Sequence, residues 1–358
     1  MDTSSFFNKL WHPVSIGAVT IPGNIFLAPL AGYTDRAFRA VCRQQGAALT
    51  YSEMVSAEGV ARKGANSESL MLRGQGEDLF AIQLFMNDAE VVERALERVL
   101  TFNPTVLDIN CGCPVPKVVK TGAGSSLMLQ PHKIHDIVKT ITKACSVPVS
   151  VKIRTGWDAR SINWAETSDA AIEGGASMIT MHARTKSMGY SGKADWQALA
   201  DLKNHVDKRS REIWRPIVAF GSGDVFSAGD AQAMLAETAL DGLMFARGAI
   251  GNPFVFADTI ALLTGQSVPS LHPIAERVAV MRLHLSFHVD SVGEHLACRQ
   301  MRKHAAAYLR GMKDASRAKQ ELVRATTVEQ YARVFDRLLA DGDTLWEEVM
   351  PLADIVES

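Results

Sequence analysis

Short apolar runs alternate along the chain with stretches whose apolar residues recur every three or four positions. The runs are IFLAPL near residue 27, ALTYSEM near 51, FAIQLF near 82 and VLDINC near 108, then PVSVKIR near 151, SMITMHAR near 180, PIVAFGS near 218 and DGLMFAR near 244. Most are apolar on both faces, as parallel strands covered by helices must be. Amphipathic segments such as DAEVVERALERVL and HKIHDIVKTITKAC fill the intervals. Helical periodicity after each short apolar run predicts a βα unit. Eight such units in about 240 residues predict a (β/α)₈ TIM barrel of α/β class.

After about residue 270 the strand pattern stops. IAERVAVMRLHLSFHVDSV, EHLACRQMRKHAAAYLRGM and VEQYARVFDRLLADG read as three helices with no strand between them. The segment TGQSVPSLHP, residues 264–273, is rich in turn formers and reads as a linker. The predicted organisation is therefore a catalytic barrel over residues 1–263 and a small all-helical domain over 274–358.

Composition changes this picture little. The 358 residues are 47% hydrophobic and 22% charged, with a formal net charge of −1, ordinary for a globular chain. Any nucleic-acid partner must therefore be met by a local basic patch. The start, MDTSSFFNKLWHPVSIGAVTIPG, lacks the basic-then-apolar pattern of a secretory signal. No window approaches the roughly 18 apolar residues of a membrane span. The five cysteines are scattered, at Cys42, Cys111, Cys113, Cys145 and Cys298, which fits a reducing cytoplasm rather than a disulfide framework. Cys42, Cys145 and Cys298 are expected to be buried structural thiols. The chain is expected to act as a monomer with no membrane partner.

In this architecture chemistry collects at the C-terminal ends of the strands. Strand one ends in Pro29, Leu30 and Ala31, strand three carries Gln83, and strand four ends in Asn110 and Cys113. Strand five offers Lys152 and Arg154, and strand six His182 and Arg184. Strand seven runs into Ser222, Gly223 and Asp224, and strand eight into Ala246 and Arg247. Amide, thiol, ammonium, imidazole and guanidinium at one rim indicate a site. The small residues after strands seven and eight, with Arg247 beside them, suit a phosphate held by backbone N–H groups. No dinucleotide fingerprint accompanies them, because GAGSSL at Gly122 follows a proline-rich loop rather than a strand. A phosphorylated mononucleotide is the expected cofactor. Lys152 can place its ammonium against the N1 and O2 of a reduced flavin, or form a Schiff base. Cys111 and Cys113 have no second Cys/His pair nearby, so no metal site is expected. Cys113, on the turn before Pro114, can serve as nucleophile or general acid; Cys111 is expected to pack.

Six segments in this order, APLAGYTDRAFR, QLF, DINCGCPVPKVVKTGAGSSLM, VKIRTGW, HARTKSMGYSGKADW and RGAIGNPF, closely resemble the tRNA-dihydrouridine synthases, especially their bacterial B-type branch. The resemblance runs from about Ile25 to Phe256, with RKHAAAYLRGM adding support beyond it. It implies an FMN-dependent barrel with a C-terminal helical domain, which reduces the 5,6 double bond of uridine in tRNA with NADPH or NADH as reductant. It also implies that Pro29, Leu30, Ala31, Gln83, Asn110, Lys152 and His182 meet the flavin and that Cys113 is the proton donor. Two departures stand out. Ser222-Gly223-Asp224 replaces the family's usual Asn-Gly-Asp, and Ala246-Arg247 its usual Gly-Arg. Each keeps a small residue where the backbone would approach phosphate.

A base within tRNA must be unstacked to reach a barrel mouth, which needs a grip on phosphates. Residues 299–324 carry Arg299, Arg302, Lys303, Arg310, Lys313, Arg317, Lys319 and Arg324 against Asp314 and Glu321. Arg299, Arg302, Lys303 and Arg310 are expected at the tRNA, with Asn110, Arg154 and Arg184 near the reacting base. Lys117, Lys120, Lys186 and Lys193 add charge at the rim. Three rivals remain: a dihydroorotate-type flavin oxidoreductase of a free pyrimidine, a Schiff-base lyase using Lys152, and a non-enzymatic RNA-binding module. The basic helical segment speaks against the first. The lyase leaves Gln83 and Cys113 unexplained, and a binding module needs no such crowded rim.

Overall fold

A computed structural model describes residues 10–312 and 315–342. It opens on an antiparallel hairpin of β1 (Val14–Ile16) and β2 (Val19–Ile21). The barrel strands are β3 (Ile25–Leu27), β4 (Thr50–Tyr51), β6 (Phe80–Phe85), β7 (Val106–Asn110), β8 (Val149–Arg154), β9 (Met178–His182), β10 (Val218–Ser222) and β11 (Gly242–Phe245), with a short β5 (Val55–Ser56) paired to β6. All are parallel, and the β4–β6 and β11–β3 pairings close the ring. The eight strands fall in the eight apolar runs. The second run is broken at Ser52–Met54, which leaves β5 as a separate piece.

Helices α1 (Arg36–Gln44), α2 (Ala57–Ala61), α3 (Ala65–Ser69), α4 (Ala89–Leu100), α5 (Pro116–Val119), α6 (Pro131–Ala144) and α7 (Trp164–Gly174) follow the first five barrel strands. Helices α8 (Trp196–Glu212), α9 (Ala228–Thr238) and α10 (Val255–Leu263) follow the last three. Their apolar stripes explain their docking. In α4, Val91, Val92, Ala95, Leu96 and Val99 are buried, a spacing that puts them on one face. The Asp88 carboxylate caps that helix by accepting the Val91 N–H. Every residue of β7 is buried, and five of six in β6, as strands between a filled barrel and a helical layer should be.

The hairpin, which the apolar runs did not announce, plugs the N-terminal mouth. Ile16 and Ile21 are fully buried in one cluster with Phe26, Val106, Met178 and Phe220. Phe26 and Phe220 stack there with ring centroids 4.5 Å apart. That end is sealed with hydrocarbon, so the open end of the barrel is the one that carries the polar strand ends.

After residues 264–273 come α11 (Ile274–Val292), α12 (Glu294–Tyr308), α13 (Ser316–Arg324) and α14 (Val328–Asp341). Among the described residues four helices stand where three were expected. The additional α13 buries only Ala318 and Leu322, too little apolar signal to see in SRAKQELVR. These helices share a core of Met281, Leu285, Met301, Tyr308, Leu322, Tyr331 and Phe335, which extends onto Ala37, Ala40 and Val41 of α1. Helix α1 is in turn locked to the barrel by a buried Arg39–Glu77 pair, two-pronged at 2.8 and 3.0 Å. Among the described residues no helix is long and apolar enough to cross a membrane.

Candidate active site at the open rim of the barrel

Strand register builds the floor of the site. Gln83 pairs with Asp108, Asp108 with Ser150, and Asn110 with Lys152. Side chains alternate along a strand, so Asp108 and Asn110 share the barrel's inner face. Asp108, fully buried, accepts hydrogen bonds from Gln83 Nε2 at 2.6 Å and Ser150 Oγ at 2.5 Å. Because a carboxylate facing Gln83 must receive its NH₂, the Gln83 carbonyl is turned to Asn110, whose Nδ2 donates at 2.8 Å. Asn110 Oδ1 then accepts the backbone N–H groups of Gly112, at 3.2 Å, and Cys113, at 2.9 Å. A chain of fixed amides thus runs from the barrel interior to the Cys113 backbone. Burial raises the Asp108 carboxyl to about 6, against the pull of Ser150, Gln83 and Lys152.

The two cysteines separate cleanly. Cys111 is fully buried, and burial with Asp108 nearby pushes its thiol far up. Cys113 is half-buried and lines the cavity. Its thiol is also raised by burial, while the Val115 N–H and the Arg154 charge favour the thiolate. At neutral pH Cys113 therefore holds its proton. Its loop is clamped by Ser125 Oγ, which donates to the Cys113 carbonyl at 2.9 Å, and by Arg154 Nε, which donates to Gly112 O at 2.8 Å. Of the cysteines expected to be buried, Cys42 and Cys298 are; Cys145 is only half-buried.

On the neighbouring strand β8, Lys152 has Ser222 Oγ at 3.5 Å. Burial and the Arg154 charge push its ammonium down to about 8, with Asp108 opposing. His182 is lowered by burial and by Lys152, Arg154, Arg184 and Arg247, so it is neutral. Arg247 spreads over Tyr190, 4.6 Å from the ring centroid, and Phe226, 5.2 Å away. Lys152 and Arg247 are the cations here, with Arg247 3.5 Å from the Asp224 carboxylate.

The loops after β10 and β11 are shaped by glycine. At Gly223 φ is +123°, and a Cβ there would lie 3.0 Å from both Ala194 Cβ and His182 Cδ2. A Cβ on Gly248 would meet the Val225 carbonyl at 2.4 Å. Neither position tolerates a side chain. Asp224 lines the cavity, yet its Oδ2 accepts from Arg184 Nη2 and the Ala194 N–H, both at 2.7 Å, which sets the loop.

The cavity has a volume of about 640 Å³, within the ~300–1,000 Å³ of small-molecule sites. It brings together Pro29, Leu30, Ala31, Gln83, Asn110, Cys113, Lys152, Arg154, His182, Ser222, Gly223, Asp224, Ala246, Arg247 and Arg310. Arg184, Arg299, Arg302 and Lys303 do not line it. Arg184 is buried beneath the rim, and Arg154, though at the cavity, donates to the carbonyls of Gly112, Thr185 and Gly189. Both guanidiniums brace loops. Arg299 is exposed on α12, while Arg302 donates to Ala325 O at 3.2 Å. Lys303 donates to Gly32 O at the seam with the barrel. Lys313 and Asp314 lie outside the described residues. Asp108, Tyr33, Met54, Tyr190 and Phe226 were not anticipated; Asp108 alone left a signal, an acid inside an apolar strand run.

Fold and rim define a barrel enzyme with a cationic, thiol-bearing pocket. The family model for dihydrouridine synthase (Dus) matches residues 26–340. A probable tRNA-dihydrouridine synthase of Treponema pallidum (strain Nichols) is 41% identical over 334 residues, covering 91% of this chain and 96% of its own. The tRNA-dihydrouridine synthase B of Pasteurella multocida (strain Pm70) is 33% identical, covering 83% and 87%. Among solved structures, a 2-naphthoyl-CoA reductase complex shares the fold with a TM-score of 0.55 at 10% identity, over 73% of this chain and 53% of that one. The chain belongs to the dihydrouridine synthase family and is an oxidoreductase of the tRNA-dihydrouridine synthase class.

Proposed function

We propose that this chain reduces the 5,6 double bond of uridine in tRNA with FMN held at the barrel rim, Cys113 giving the proton at C5. The observation that carries this reading is the Cys113 thiol, pushed up by burial, on the rim of one cavity that Lys152, His182 and Arg247 also line. The residues fit the cofactor. The small residues Ser222, Gly223 and Ala246 line the cavity and would let backbone N–H groups approach a phosphate, with Arg247 beside them. Lys152, whose ammonium has a hydroxyl at 3.5 Å, suits the electron-rich edge of a flavin ring. When bound, FMN supplies the hydride that adds to uracil C6, and NADPH or NADH restores it.

The chain's own groups do the rest. Hydride addition at C6 leaves enolate-like charge over C5 and C4=O, and Sγ of Cys113 delivers its proton there. Its raised pKa keeps the proton in place until that stronger base forms. The nearby Arg154 charge and Val115 N–H then stabilise the thiolate left behind. Asn110 positions both the Cys113 backbone and the uracil edge. Outside the cavity, Arg299, exposed on α12, would meet phosphates, and Arg310, which lines the cavity, would extend that basic surface inward. The barrel domain, residues 1–263, then does chemistry while the C-terminal domain, residues 274–358, holds RNA through α11–α14, in a monomer. The test is Cys113→Ala, which should bind FMN, oxidise NADPH and bind tRNA, yet form dihydrouridine roughly 10²–10⁴-fold more slowly. Full dihydrouridine formation by this variant would overturn the reading.

A further inference from the structure

Beside the cavity, three imidazoles and a carboxylate meet in the seam between α1 and the C-terminal helices. His284 and His288 stand four residues apart on α11, His304 comes from α12, and Asp35 caps the start of α1. One ligand atom of each lies within 4.8 Å of all the others. His284, His288 and His304 are buried at 0%, 1% and 0% exposure. Among the described residues, Nε2 of His284 and Nε2 of His288 have no hydrogen-bond partner. Buried ring nitrogens without partners are costly and rare. His284 Nδ1 lies 3.2 Å from Tyr308 Oη, an outer contact that turns its free Nε2 the way a metal ligand requires. His304 Nε2 is 3.4 Å and His288 Nε2 3.7 Å from the Asp35 carboxylate.

We propose that Asp35, His284, His288 and His304 form a structural site for a zinc-class dication. Histidines at i and i+4 on a helix present both rings to one ion, and three imidazoles with one carboxylate complete a closed tetrahedral set. Zinc bonds of about 2.0–2.1 Å would bring the ligand atoms to roughly 3.3 Å from one another, a contraction that side-chain rotation supplies. Lys303, 3.6 Å from Asp35 Oδ2, also donates to Gly32 O, a contact it keeps while the carboxylate turns to the ion. The ion would pin α11 and α12 to the barrel, and through the edge-on contact of His304 with Tyr33 it would fix one wall of the cavity. The inference stands on this cluster alone and is independent of the reaction proposed above.

The experiment uses the full-length, flavin-loaded protein. After chelation with dipicolinate, one equivalent of Co²⁺ should give the intense visible bands of a tetrahedral site, and equimolar ZnCl₂ should abolish them and raise the unfolding midpoint. His288→Gln, checked for folding by circular dichroism and flavin content, should weaken zinc by more than the roughly 10–100-fold that loss of an outer-shell partner costs. Absence of tetrahedral Co²⁺ bands in the unmutated protein would overturn the site, with no variant needed. Zinc affinity unchanged in a folded His288→Gln would overturn it as well.

Discussion

The rim of the barrel and the C-terminal helices both carry dense polar chemistry, but they hold it differently. At the rim, Gln83, Asp108, Asn110, Ser150 and Arg154 form hydrogen bonds that reach from the barrel interior to the loop of Cys113. On the helices Arg299 is exposed, and Arg317 and Arg337 share Glu321 at the surface. Bonds among buried groups set positions to a fraction of an ångström; exposed charges attract at a distance and are screened by salt. The contrast fits a division between chemistry, which needs fixed atoms, and RNA grip, which needs charge.

The largest way to break the comparison is to break the joint between the regions. Glu77→Gln leaves Arg39 charged and unpaired at about 1% exposure, which should cost on the order of 3–5 kcal/mol of stability. Denaturant unfolding should show it. Next, Lys152→Ala should slow flavin reduction by NADPH by on the order of 2–4 kcal/mol in barrier, if the ammonium acts as other electrostatic site donors do. Its pH profile sharpens the point. The folded Lys152 ammonium titrates at about 8, below its ordinary 10.5. The charge is therefore present below about 8 and is lost as pH rises through that value. Reduction rates should fall on that limb in the native enzyme, and the limb should vanish in Lys152→Met. Smallest is the helical side. Charge reversal at Arg299 or Arg310 should flatten the salt dependence of tRNA binding by a log–log slope of about 0.7–0.9 for each phosphate no longer engaged. Flavin content should be unchanged by Arg299→Glu.

The barrel was legible because its strands are apolar on both faces and its helices are striped, signals that survive in one sequence. The β1–β2 hairpin was not, because three-residue strands carry too little pattern. At the site, residue types at strand ends pointed to the cavity, as with Gln83, Lys152 and His182. What sequence could not show is where a donor is aimed. Arg184 looks like a ligand contact until its guanidinium is found on Asp224. Lys303 looks like RNA grip until it is found on the Gly32 carbonyl. The histidine cluster was invisible for another reason: Asp35 and His304 lie 269 positions apart and meet only because α11, with α12 paired to it, packs on α1.

The central claim is that Cys113, and not Cys111, gives the proton. Cys113→Ala can be reduced with NADPH under anaerobic conditions and then mixed with tRNA, following flavin absorbance against Cys111→Ala in parallel. The account predicts that Cys113→Ala stays reduced while Cys111→Ala reoxidises as the unmutated enzyme does. Rapid reoxidation of reduced Cys113→Ala by tRNA would contradict it.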